Sequence, residues 1–400
     1  MTPLHIRAFT ATSCIGRGLP AMLESLRAQR SGLMPCNFET VTLETYIGEV
    51  PGVDDVRLPA ELRRFDCRNN RLAQFGLEED GFIDAVSASV SRWGGRRVGL
   101  FLGTSTSGIL DTEVAYRQRD PATGALPASF DYAGTHNSYS LAAYVRALLE
   151  LEGPSAVVSS ACSSSAKVFG SARRMIAAGL IDAAVVGGVD SLCLTTLYGF
   201  HSLQLVSRNP CKPFDVARDG ISIGEAAAFA LIERPPDSLD RDAILLLGIG
   251  ESSDAYHMSS PHPEGRGARA AMLQALATAG LTPQDIDYVN LHGTGTPSND
   301  SAEGKAVAAV FADRAAAVAA SSTKGATGHT LGAAGSVEAV ICALSLRHGL
   351  LPGGANTRQV DASLGFEYLC ANRQRPIARA LSNSFGFGGS NCALVLGRAC

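Results

Sequence analysis

The sequence predicts an α/β fold in which strands and helices alternate along the chain. Apolar runs such as residues 98–103 are continuous, as in strands of a sheet that is buried on both faces. Helix-compatible segments and glycine-rich turns separate these runs, and 42 of the 400 residues are glycine. The chain also resembles itself, which indicates a duplicated structural unit.

The self-resemblance divides the chain into two similar halves. Each half opens with a strand and a polar turn, and two further strand segments recur together with the turns that follow them. Each half is too apolar to stand alone, so we predict two fused halves, residues 1–235 and 236–400, that meet near residues 234–237. The paired segments are 6–18 with 244–254, 98–106 with 289–296, and 156–162 with 317–324.

Cys162 lies where a nucleophile is expected. Residues 156–158 predict a buried strand, and the helix-compatible residues 167–180 end near Gly179, so Cys162 is expected at a helix N-terminus. There the unpaired N–H groups and the helix dipole favour a thiolate, which predicts a lowered pKa for Cys162. The alternative is a buried structural cysteine, because free cysteine is among the most buried residue types.

Two more segments join an apolar run to glycine-rich sequence. His292 follows the run 288–291 and precedes a glycine turn, while His329 lies in the turn 321–332 together with Lys324. Histidines in such turns can point into a cleft. Taken alone, a histidine in such a turn is more often structural, and a lysine beside glycines is more often simply solvated. The set of Cys162, His292, Lys324 and His329 favours a catalytic site.

These residues carry a resemblance to a known family. The chain resembles the β-ketoacyl-acyl carrier protein synthases of the Cys-His-His kind, the condensing enzymes of fatty acid and type II polyketide synthesis, nearly from end to end. Its markers follow the order of that family. They are the Cys162 turn, Pro213-Phe-Asp215 with Arg218-Asp-Gly220, residues 253–257, His292-Gly-Thr-Gly-Thr296, residues 324–329 with 332–335 and Glu338, and Phe385-Gly-Phe-Gly-Gly389.

The resemblance implies a fold and an activity. The fold is thiolase-like, with two similar halves in αβαβα layers; residues 1–235 hold the nucleophile and residues 236–400 hold the two histidines and the lysine. The activity is that of an acyltransferase: decarboxylative condensation of an acyl group on Cys162 with malonyl-acyl carrier protein to give 3-oxoacyl-acyl carrier protein.

The chemistry assigns roles to the site residues. A thiolate of Cys162 can accept the acyl group, and the backbone N–H groups of Cys162 and Phe387 are candidates for the oxyanion hole. His292 and His329 can donate hydrogen bonds to the enolate oxygen that forms on decarboxylation. In the resembled family, Lys324 orients and tunes His329.

Further residues are carried over from the same resemblance. Substrate-binding positions are Thr294, Thr296, Phe385 and Phe387, and a gating loop is expected at Asp254 and His257. Glu303 and Glu338 are expected to be structural. The alternative for the two threonines is that their hydroxyls only stabilise the turn. Because carrier proteins are acidic, basic clusters are candidates for docking, although a run of charges is usually an ordinary solvated surface. The candidate docking residues are Arg63, Arg64, Arg68, Arg71, Arg208 and Lys212.

Composition narrows the class of protein. The net charge of −4 does not favour binding of nucleic acid, and the glycine-rich turns lack the Walker or Rossmann spacing of a nucleotide-binding site. Ten cysteines without C-x-x-C pairs indicate neither a metal site nor a disulfide framework, and no apolar run predicts a membrane span or a signal segment. We therefore expect a cytoplasmic enzyme without a separate cofactor, since the phosphopantetheine arm belongs to the carrier protein.

Pathway and partner stay open at this point. Residues 198–208 depart from the pattern of housekeeping fatty acid synthases and resemble ketosynthases of aryl polyene clusters; Phe200, His201 and Gln204 are hypothesised to shorten or polarise an acyl tunnel. The family implies a homodimer, or a heterodimer with a ketosynthase-like chain-length factor. The alternatives are that this chain is itself a chain-length factor, a thiolase using Cys392 as second cysteine, or a scaffold protein.

Overall fold

A computed structural model describes residues 1–314 and 316–399. Its strands and helices alternate as the sequence predicts. The strands are Leu4–Ser13 (β1), Gly16–Arg17 (β2), Met34–Pro35 (β3), Tyr46–Gly48 (β4), Val98–Gly103 (β5), Ser155–Val158 (β6), Ala183–Asp190 (β7), Ile223–Gly224 (β8), Ala226–Glu233 (β9), Ile244–Ser253 (β10), Tyr288–Asn290 (β11), Ala319–Ser321 (β12), Leu350–Leu351 (β13), Glu367–Tyr368 (β14), Arg373–Gln374 (β15), Arg379–Gly386 (β16) and Ser390–Arg398 (β17). The helices are Gly18–Arg27 (α1), Arg68–Leu77 (α2), Phe82–Trp93 (α3), Ile109–Arg117 (α4), Tyr139–Leu148 (α5), Ser164–Ala177 (α6), Leu194–Ser202 (α7), Arg266–Ala279 (α8), Pro297–Val310 (α9), Lys324–Thr327 (α10) and Ala334–His348 (α11).

One large mixed sheet has two arms that repeat the same pattern of strand directions. The arms extend from the central antiparallel pair β1 and β10. In one arm β9 and β7 follow as antiparallel neighbours and β5 and β6 as parallel ones. In the other, β17 and β16 are antiparallel, and β11, β12 and β14 are parallel. Small sheets β3-β4-β8 and β13-β15 complete the set.

The paired segments of the sequence occupy corresponding places in the two arms. β1 corresponds to β10, β5 to β11, and β6 to β12, counted outwards from the centre. The division between residues 235 and 236 falls in the connection from β9 to β10 and stays a prediction. The strand at residues 155–158 exists, but it is an edge strand and half exposed, so the expectation of a buried strand there is wrong.

The helices form three layers around the two arms of the sheet. Helices α6 and α11 pack between the arms, and α11 is buried on nearly all sides, which fits its apolar composition all round. Helices α2, α3 and α5 cover the outer face of one arm, while α8 and α9 cover that of the other. The predicted α/β class and αβαβα layering are confirmed. Among the described residues, no helix combines the length and the apolar character needed to cross a membrane.

The carboxyl ends of the parallel strands in the two arms position the site. β5, β6 and β7 run parallel, as do β11, β12 and β16, and ligands bind at such strand ends in α/β sheets. Glycine at the end of β5 allows α6 to begin close to the sheet: a Cβ on Gly103 would lie 2.4 Å from Ser165 N. The residues between β6 and α6, which include Cys162, are thereby held beside the strand ends.

Candidate active site

Cys162 lies on a strained turn between β6 and α6. Ala161, immediately before it, has φ +52°, a left-handed conformation that costs a non-glycine residue about 1–3 kcal/mol. Ser164 holds this turn, because its hydroxyl donates to Ala161 O at 2.5 Å and accepts from Ser160 N–H at 2.9 Å. The predicted helix N-terminus is present, since α6 begins at Ser164, and the Cys162 side chain is buried.

The expectation of a lowered pKa for Cys162 is wrong for the free protein. Burial raises the pKa of the thiol to about 12, although the Lys324 ammonium and a hydrogen bond from the Phe387 N–H act in the opposite direction. The helix N-terminus does not overcome the loss of solvation at this depth. Cys162 is therefore a thiol before substrate arrives, and its sulfur already faces the Phe387 N–H that was predicted for the oxyanion hole.

His292 is held by a buried carboxylate on helix α9. The backbone N–H groups of His292 and Gly293 donate to the two oxygens of Glu303 at 2.8 and 2.7 Å, and Asn383 Nδ2 donates to it at 3.0 Å. Burial raises the pKa of Glu303 to about 7, while these hydrogen bonds oppose the rise. Glu303 thus fixes the loop that carries His292, in agreement with its expected structural role.

His329 is held on both sides by strand β8 and by its own loop. Its N–H donates to Ser222 O at 2.7 Å, and its C=O accepts from Gly224 N–H at 3.0 Å. Its ring nitrogen Nδ1 accepts from Leu331 N–H at 3.3 Å. Because a ring nitrogen that accepts has no proton, the proton of neutral His329 lies on Nε2.

Lys324 contacts His292 and not His329. Its Nζ lies 2.6 Å from His292 O and 3.3 Å from His292 Nδ1, and it forms a buried ion pair with Glu338. The expectation that Lys324 orients His329 is therefore wrong, because Lys324 makes its direct contact with His292. The charge of Lys324 nevertheless lowers the pKa of both imidazoles. Since the ammonium only donates, Nδ1 of His292 accepts and its proton also lies on Nε2.

Both imidazoles are neutral hydrogen-bond donors. Burial, reinforced by the Lys324 ammonium, holds the pKa values of His292 and His329 well below the usual range. Their ring centroids are 5.3 Å apart at an angle of 83°, and ring nitrogens of both lie within 4.8 Å of Cys162 Sγ and of each other. The site therefore aims two neutral N–H donors and one thiol at the same small volume.

This Cys-His-His group is a poor metal site despite its compactness. Histidine that binds a metal through one ring nitrogen usually donates from the other to an oxygen acceptor. Here Nδ1 of His329 faces the Leu331 N–H and Nδ1 of His292 faces the Lys324 ammonium, so each Nε2 carries the proton that a metal would have to displace. The donor arrangement suits hydrogen bonding to an anion better than metal coordination.

Cys162, His292 and His329 open into one cavity, which the predicted substrate-binding residues also line. Thr294 and Thr296 lie on its wall with hydroxyls 2.9 Å apart, and Thr296 additionally accepts from Asn299 N–H at the start of α9. The remaining lining includes Phe200, Leu205, Ile221, Asp254, Ser259, Pro261, Asn299, Phe385 and Phe387.

The predicted gating loop is partly at the cavity. Asp254 lines the cavity and anchors the loop, because its carboxylate accepts hydrogen bonds from Gly267 N–H at 3.0 Å and from Asn391 Nδ2 at 3.2 Å. The glycine turn around Phe387 bonds to the same loop, since Gly388 N–H donates to Met258 O at 2.7 Å. His257 is exposed and lies outside the cavity lining.

The proposed tunnel residues, two on α7 and one just after it, separate into two groups. Phe200 lines the cavity and packs on Phe387 with ring centroids 5.6 Å apart. His201 and Gln204 point to solvent and do not line the cavity. The hypothesis that these two residues polarise the acyl tunnel of this chain is therefore wrong, while the part concerning Phe200 stays a prediction.

The candidate docking residues also separate by exposure. Arg63, Arg64 and Arg208 are exposed, and Lys212 lies beside the 294–296 turn, with its N 3.6 Å from the position of a Cβ on Gly295. Arg68 is buried at 4% exposure, and its guanidinium bonds to the fully buried Glu225 at 2.6 and 2.9 Å. Its assignment to a surface docking patch is wrong, because it is a structural partner of Glu225.

The second cysteine of the thiolase alternative is not in this site. Cys392 lies in β17, is fully buried and does not line the cavity. Sequence reasoning also missed Asp190 at the end of β7 and the left-handed Leu331, both close to the catalytic loops. A carboxylate at the carboxyl end of a continuously apolar strand was a usable signal for Asp190; the conformation of Leu331 has no signal in the residue type.

Comparisons with known proteins agree with this geometry. Residues 72–238 match the family model of the β-ketoacyl synthase N-terminal domain, and residues 244–358 match that of the β-ketoacyl synthase C-terminal domain. The chain is 31% identical to 3-oxoacyl-acyl-carrier-protein synthase 2 of Coxiella burnetii over 98% of both chains. It is 35% identical to nodulation protein E of Rhizobium meliloti over 95% of both.

Solved structures show the same fold over the whole chain. The complex of ketosynthase ApeO with its chain length factor ApeC from Xenorhabdus doucetiae matches with TM-score 0.87 and 36% identity, covering 100% of this chain and 98% of that one. The ishigamide ketosynthase/chain length factor matches with TM-score 0.88 and 27% identity, covering both chains completely. The fold is therefore the thiolase-like fold of ketosynthases. The chain belongs to the β-ketoacyl synthase family of condensing acyltransferases.

Proposed function

We propose that this chain catalyses the decarboxylative condensation of an acyl group with a malonyl group. Cys162 is the nucleophile, and His292 and His329 donate hydrogen bonds to the enolate oxygen. The acyl and malonyl groups are carried on the phosphopantetheine arm of an acyl carrier protein, and the product is a 3-oxoacyl thioester two carbons longer. The observation that carries the proposal is the convergence of the Cys162 sulfur and one ring nitrogen of each of the two neutral histidines, all within 4.8 Å of one another in the lining of one cavity.

The first half reaction transfers the acyl group. Cys162 sulfur attacks the carbonyl of the incoming thioester, the carrier sulfur leaves, and the thiol proton passes to that departing sulfur. The tetrahedral oxyanion accepts hydrogen bonds from the N–H groups of Cys162 and Phe387. The contact between the Phe387 N–H and the thiol supports this assignment, because the same donor faces the reacting centre before the oxyanion forms.

The second half reaction forms the new carbon–carbon bond. The malonyl group loses carbon dioxide, and the electron pair of the broken bond becomes an enolate whose oxygen accepts from the Nε2–H groups of His292 and His329. The enolate carbon then attacks the acyl thioester, and the Cys162 sulfur leaves as a thiolate. It takes up one proton from solvent, which replaces the proton that left with the carrier sulfur. Neutral imidazoles suit this step, since they donate to the developing charge without needing to take up a proton.

The residues around the chemistry support binding of a pantetheine arm and docking of its carrier. The hydroxyls of Thr294 and Thr296 lie on the cavity wall and can bond the amide groups of the arm. No separate cofactor is required by these steps. We propose Arg63, Arg64, Arg208 and Lys212 as basic contacts for an acidic carrier protein, and Asp254 with Phe387 as the gate to the cavity.

A partner of the same fold is part of the proposal. The edge strand β6 is half exposed and has a free side, which is compatible with addition of a strand from another chain. Two of the similar solved structures are complexes of a ketosynthase with a chain length factor. We propose a homodimer or a heterodimer with such a factor, and a role in fatty acid or polyketide synthesis, including aryl polyenes.

Intact-mass measurement tests the function directly. The purified protein and the Cys162→Ala variant are incubated with acyl-carrier thioesters of differing length and unsaturation, and release of carbon dioxide from malonyl carrier is followed in parallel. We expect a mass increase that depends on Cys162 and a ranking of acyl groups that separates fatty acid from polyene use. Absence of acylation, with or without a chain-length partner, would support the chain-length-factor alternative for this chain.

A further inference from the structure

Asp190 is a buried carboxylate beside the catalytic residues. It is the last residue of β7 and fully buried. One oxygen, Oδ1, accepts from Thr104 Oγ1 and Ser105 N–H at 2.7 Å and from both the N–H and the hydroxyl of Thr106 at 2.9 Å. The other oxygen, Oδ2, accepts from Gly332 N–H at 2.5 Å. Asp190 thus joins the loop after β5 to the loop after His329, which are far apart in the sequence.

The contact with Gly332 fixes a strained peptide. Leu331, between His329 and Gly332 in the loop, has φ +50°, which is unfavourable for a branched apolar residue. Its N–H is the group that donates to His329 Nδ1. The hydrogen bond from the next N–H, of Gly332, to Asp190 holds the peptide on the other side of Leu331, so the carboxylate opposes relaxation of this turn.

The charge of Asp190 disfavours ionisation of the Cys162 thiol. All five of its hydrogen-bond donors are neutral N–H and O–H groups, and its negative charge raises the pKa of Cys162. A carboxylate at this place therefore disfavours the nucleophile's thiolate, and a neutral acceptor would avoid that effect. The cost is offset if the carboxylate supports the other half of the chemistry.

We propose that Asp190 is a positioning residue that selects the Nε2–H tautomer of His329 by holding the strained Leu331–Gly332 turn. The chain of contacts runs from Asp190 Oδ2 to Gly332 N–H, through the Leu331 backbone, to His329 Nδ1. With Nδ1 occupied by the Leu331 N–H, the proton of the ring faces the cavity, where the enolate oxygen forms. This inference rests on the proposed function, because it assigns the donor that decarboxylation needs.

The Asp190→Asn variant tests the inference with little change in shape. The amide oxygen can keep the four bonds at Oδ1, but the NH₂ group then faces the Gly332 N–H, so two donors oppose each other. We expect the turn to relax and His329 to lose its fixed tautomer. Release of carbon dioxide from malonyl carrier should fall by about 10- to 100-fold, below the roughly 100- to 1,000-fold for complete loss of one oxyanion donor.

Acylation of Cys162, the other half reaction, should not slow in the same variant. Removing the charge of Asp190 removes a group that raises the pKa of Cys162, so acylation and iodoacetamide labelling of Cys162 should be at least as fast as in the wild type. A general loss of structure would slow both half reactions. Equal loss of acylation and decarboxylation would therefore overturn the inference.

A second variant disturbs the same hydrogen bond from its other end. A Cβ on Gly332 would lie 2.8 Å from Asp190 Oδ2 and 2.7 Å from Ser105 Oγ, so Gly332→Ala pushes the turn away while the carboxylate stays. We expect the same selective loss of decarboxylation. Glu233→Gln is the control, because Glu233 is a buried carboxylate at the opposite end of the neighbouring strand β9, and both half reactions should stay unchanged.

The histidine spectrum is a readout independent of turnover. In protein labelled with ¹⁵N-histidine, the His329 signal, assigned with His329→Asn, should show an unprotonated Nδ1 and a protonated Nε2 in the wild type and a tautomer mixture in Asp190→Asn. An unchanged signal in Asp190→Asn overturns the inference, even if activity falls. If the wild type carries out neither half reaction, the proposed function fails, and this spectrum alone decides on Asp190.

Discussion

The buried pair of Lys324 and Glu338 allows stability and catalysis to be separated in one experiment. Both side chains are almost fully buried, and Lys324 also contacts the carbonyl and Nδ1 of His292. Lys324→Met removes the ammonium and leaves the Glu338 carboxylate without its partner. Methionine keeps an unbranched side chain that is one atom shorter than lysine, so the change is mainly electrostatic.

The expected loss of stability follows from this burial. Removing one partner of a buried ion pair costs about 3–5 kcal/mol. With an unfolding entropy of about 2.1 cal/mol/K per residue, or roughly 0.8 kcal/mol/K for a chain of this length, Tm should fall by about 4–6 °C.

The loss should depend on pH in a defined direction. Burial raises the pKa of Glu338 to about 7 even with Lys324 beside it, and without the ammonium the pKa rises further. The folded variant then keeps a neutral Glu338, while the unfolded chain ionises near pH 4.5. The variant therefore loses stability relative to the wild type as the pH rises through about 7.

The double variant Lys324→Met, Glu338→Met is the matched control. Replacing a whole buried ion pair by apolar side chains is often neutral for stability. The double variant should regain most of the Tm, yet its decarboxylation of malonyl carrier should stay about 100- to 1,000-fold below wild type, since His292 has lost the group that fixes its tautomer.

Differential scanning calorimetry at pH 6 and 8 and a carbon dioxide release assay provide both readouts. Recovery of decarboxylation together with Tm in the double variant would show that Lys324 acts on the reaction through stability alone. A single variant with wild-type Tm at pH 8 would contradict the reasoning from burial.

Three further predictions follow from the site and the surface. Because burial raises the pKa of Cys162 to about 12, the rate of iodoacetamide labelling of the free protein should rise steadily from pH 7 to 10; a plateau near pH 7 would contradict this. Phe200→Ala should shift the acyl preference in the intact-mass assay towards longer chains, because Phe200 lines the cavity and packs on the gate, and an unchanged ranking would place the chain-length limit elsewhere. Arg208→Glu with Lys212→Glu should raise KM for the carrier in a salt-dependent manner at unchanged Tm, whereas Arg68→Met should lower stability by about 3–5 kcal/mol in thermal unfolding; the reverse pattern would show Arg68 as the docking residue.

The sequence was most informative where the chemistry depends on local pattern. Cys162, His292 and His329 each lie in a turn next to a strand end, and the junction of an apolar run with glycine-rich residues predicts such a turn. The two-arm order of the sheet could be anticipated for the same reason, since the repeated segments are continuous stretches of strand and turn.

The errors concern contacts between distant parts of the chain. Arg68 follows Arg63 and Arg64 and was interpreted with them as a surface cluster, but its partner Glu225 is 157 residues away. The strand at 155–158 is apolar like a buried strand, and its place at the edge depends on the order of the whole sheet.

The electrostatics of the site could not be predicted from the sequence for the same reason, because they depend on contacts between distant parts of the chain. The helix N-terminus beside Cys162 is visible in the sequence, while the depth of burial that raises its pKa is a property of the assembled layers. Lys324 lies five residues before His329 in the sequence, and yet its ammonium reaches His292 on the neighbouring strand end. Proximity in sequence gave the correct group of residues and the wrong pairing within it.

The repeated order of the two sheet arms bears on how such a site could evolve. Cys162 follows β6, Lys324 follows β12, and these strands hold corresponding places in the two arms. Each residue also precedes or begins the helical segment that leads into the central layer. An ancestor made of two identical arms would have carried the same residue at both positions, so a condensing site required the copies to diverge. Divergence of two equivalent positions then gave a sulfur nucleophile that lines the cavity and a cation that holds an imidazole of the same cavity from behind.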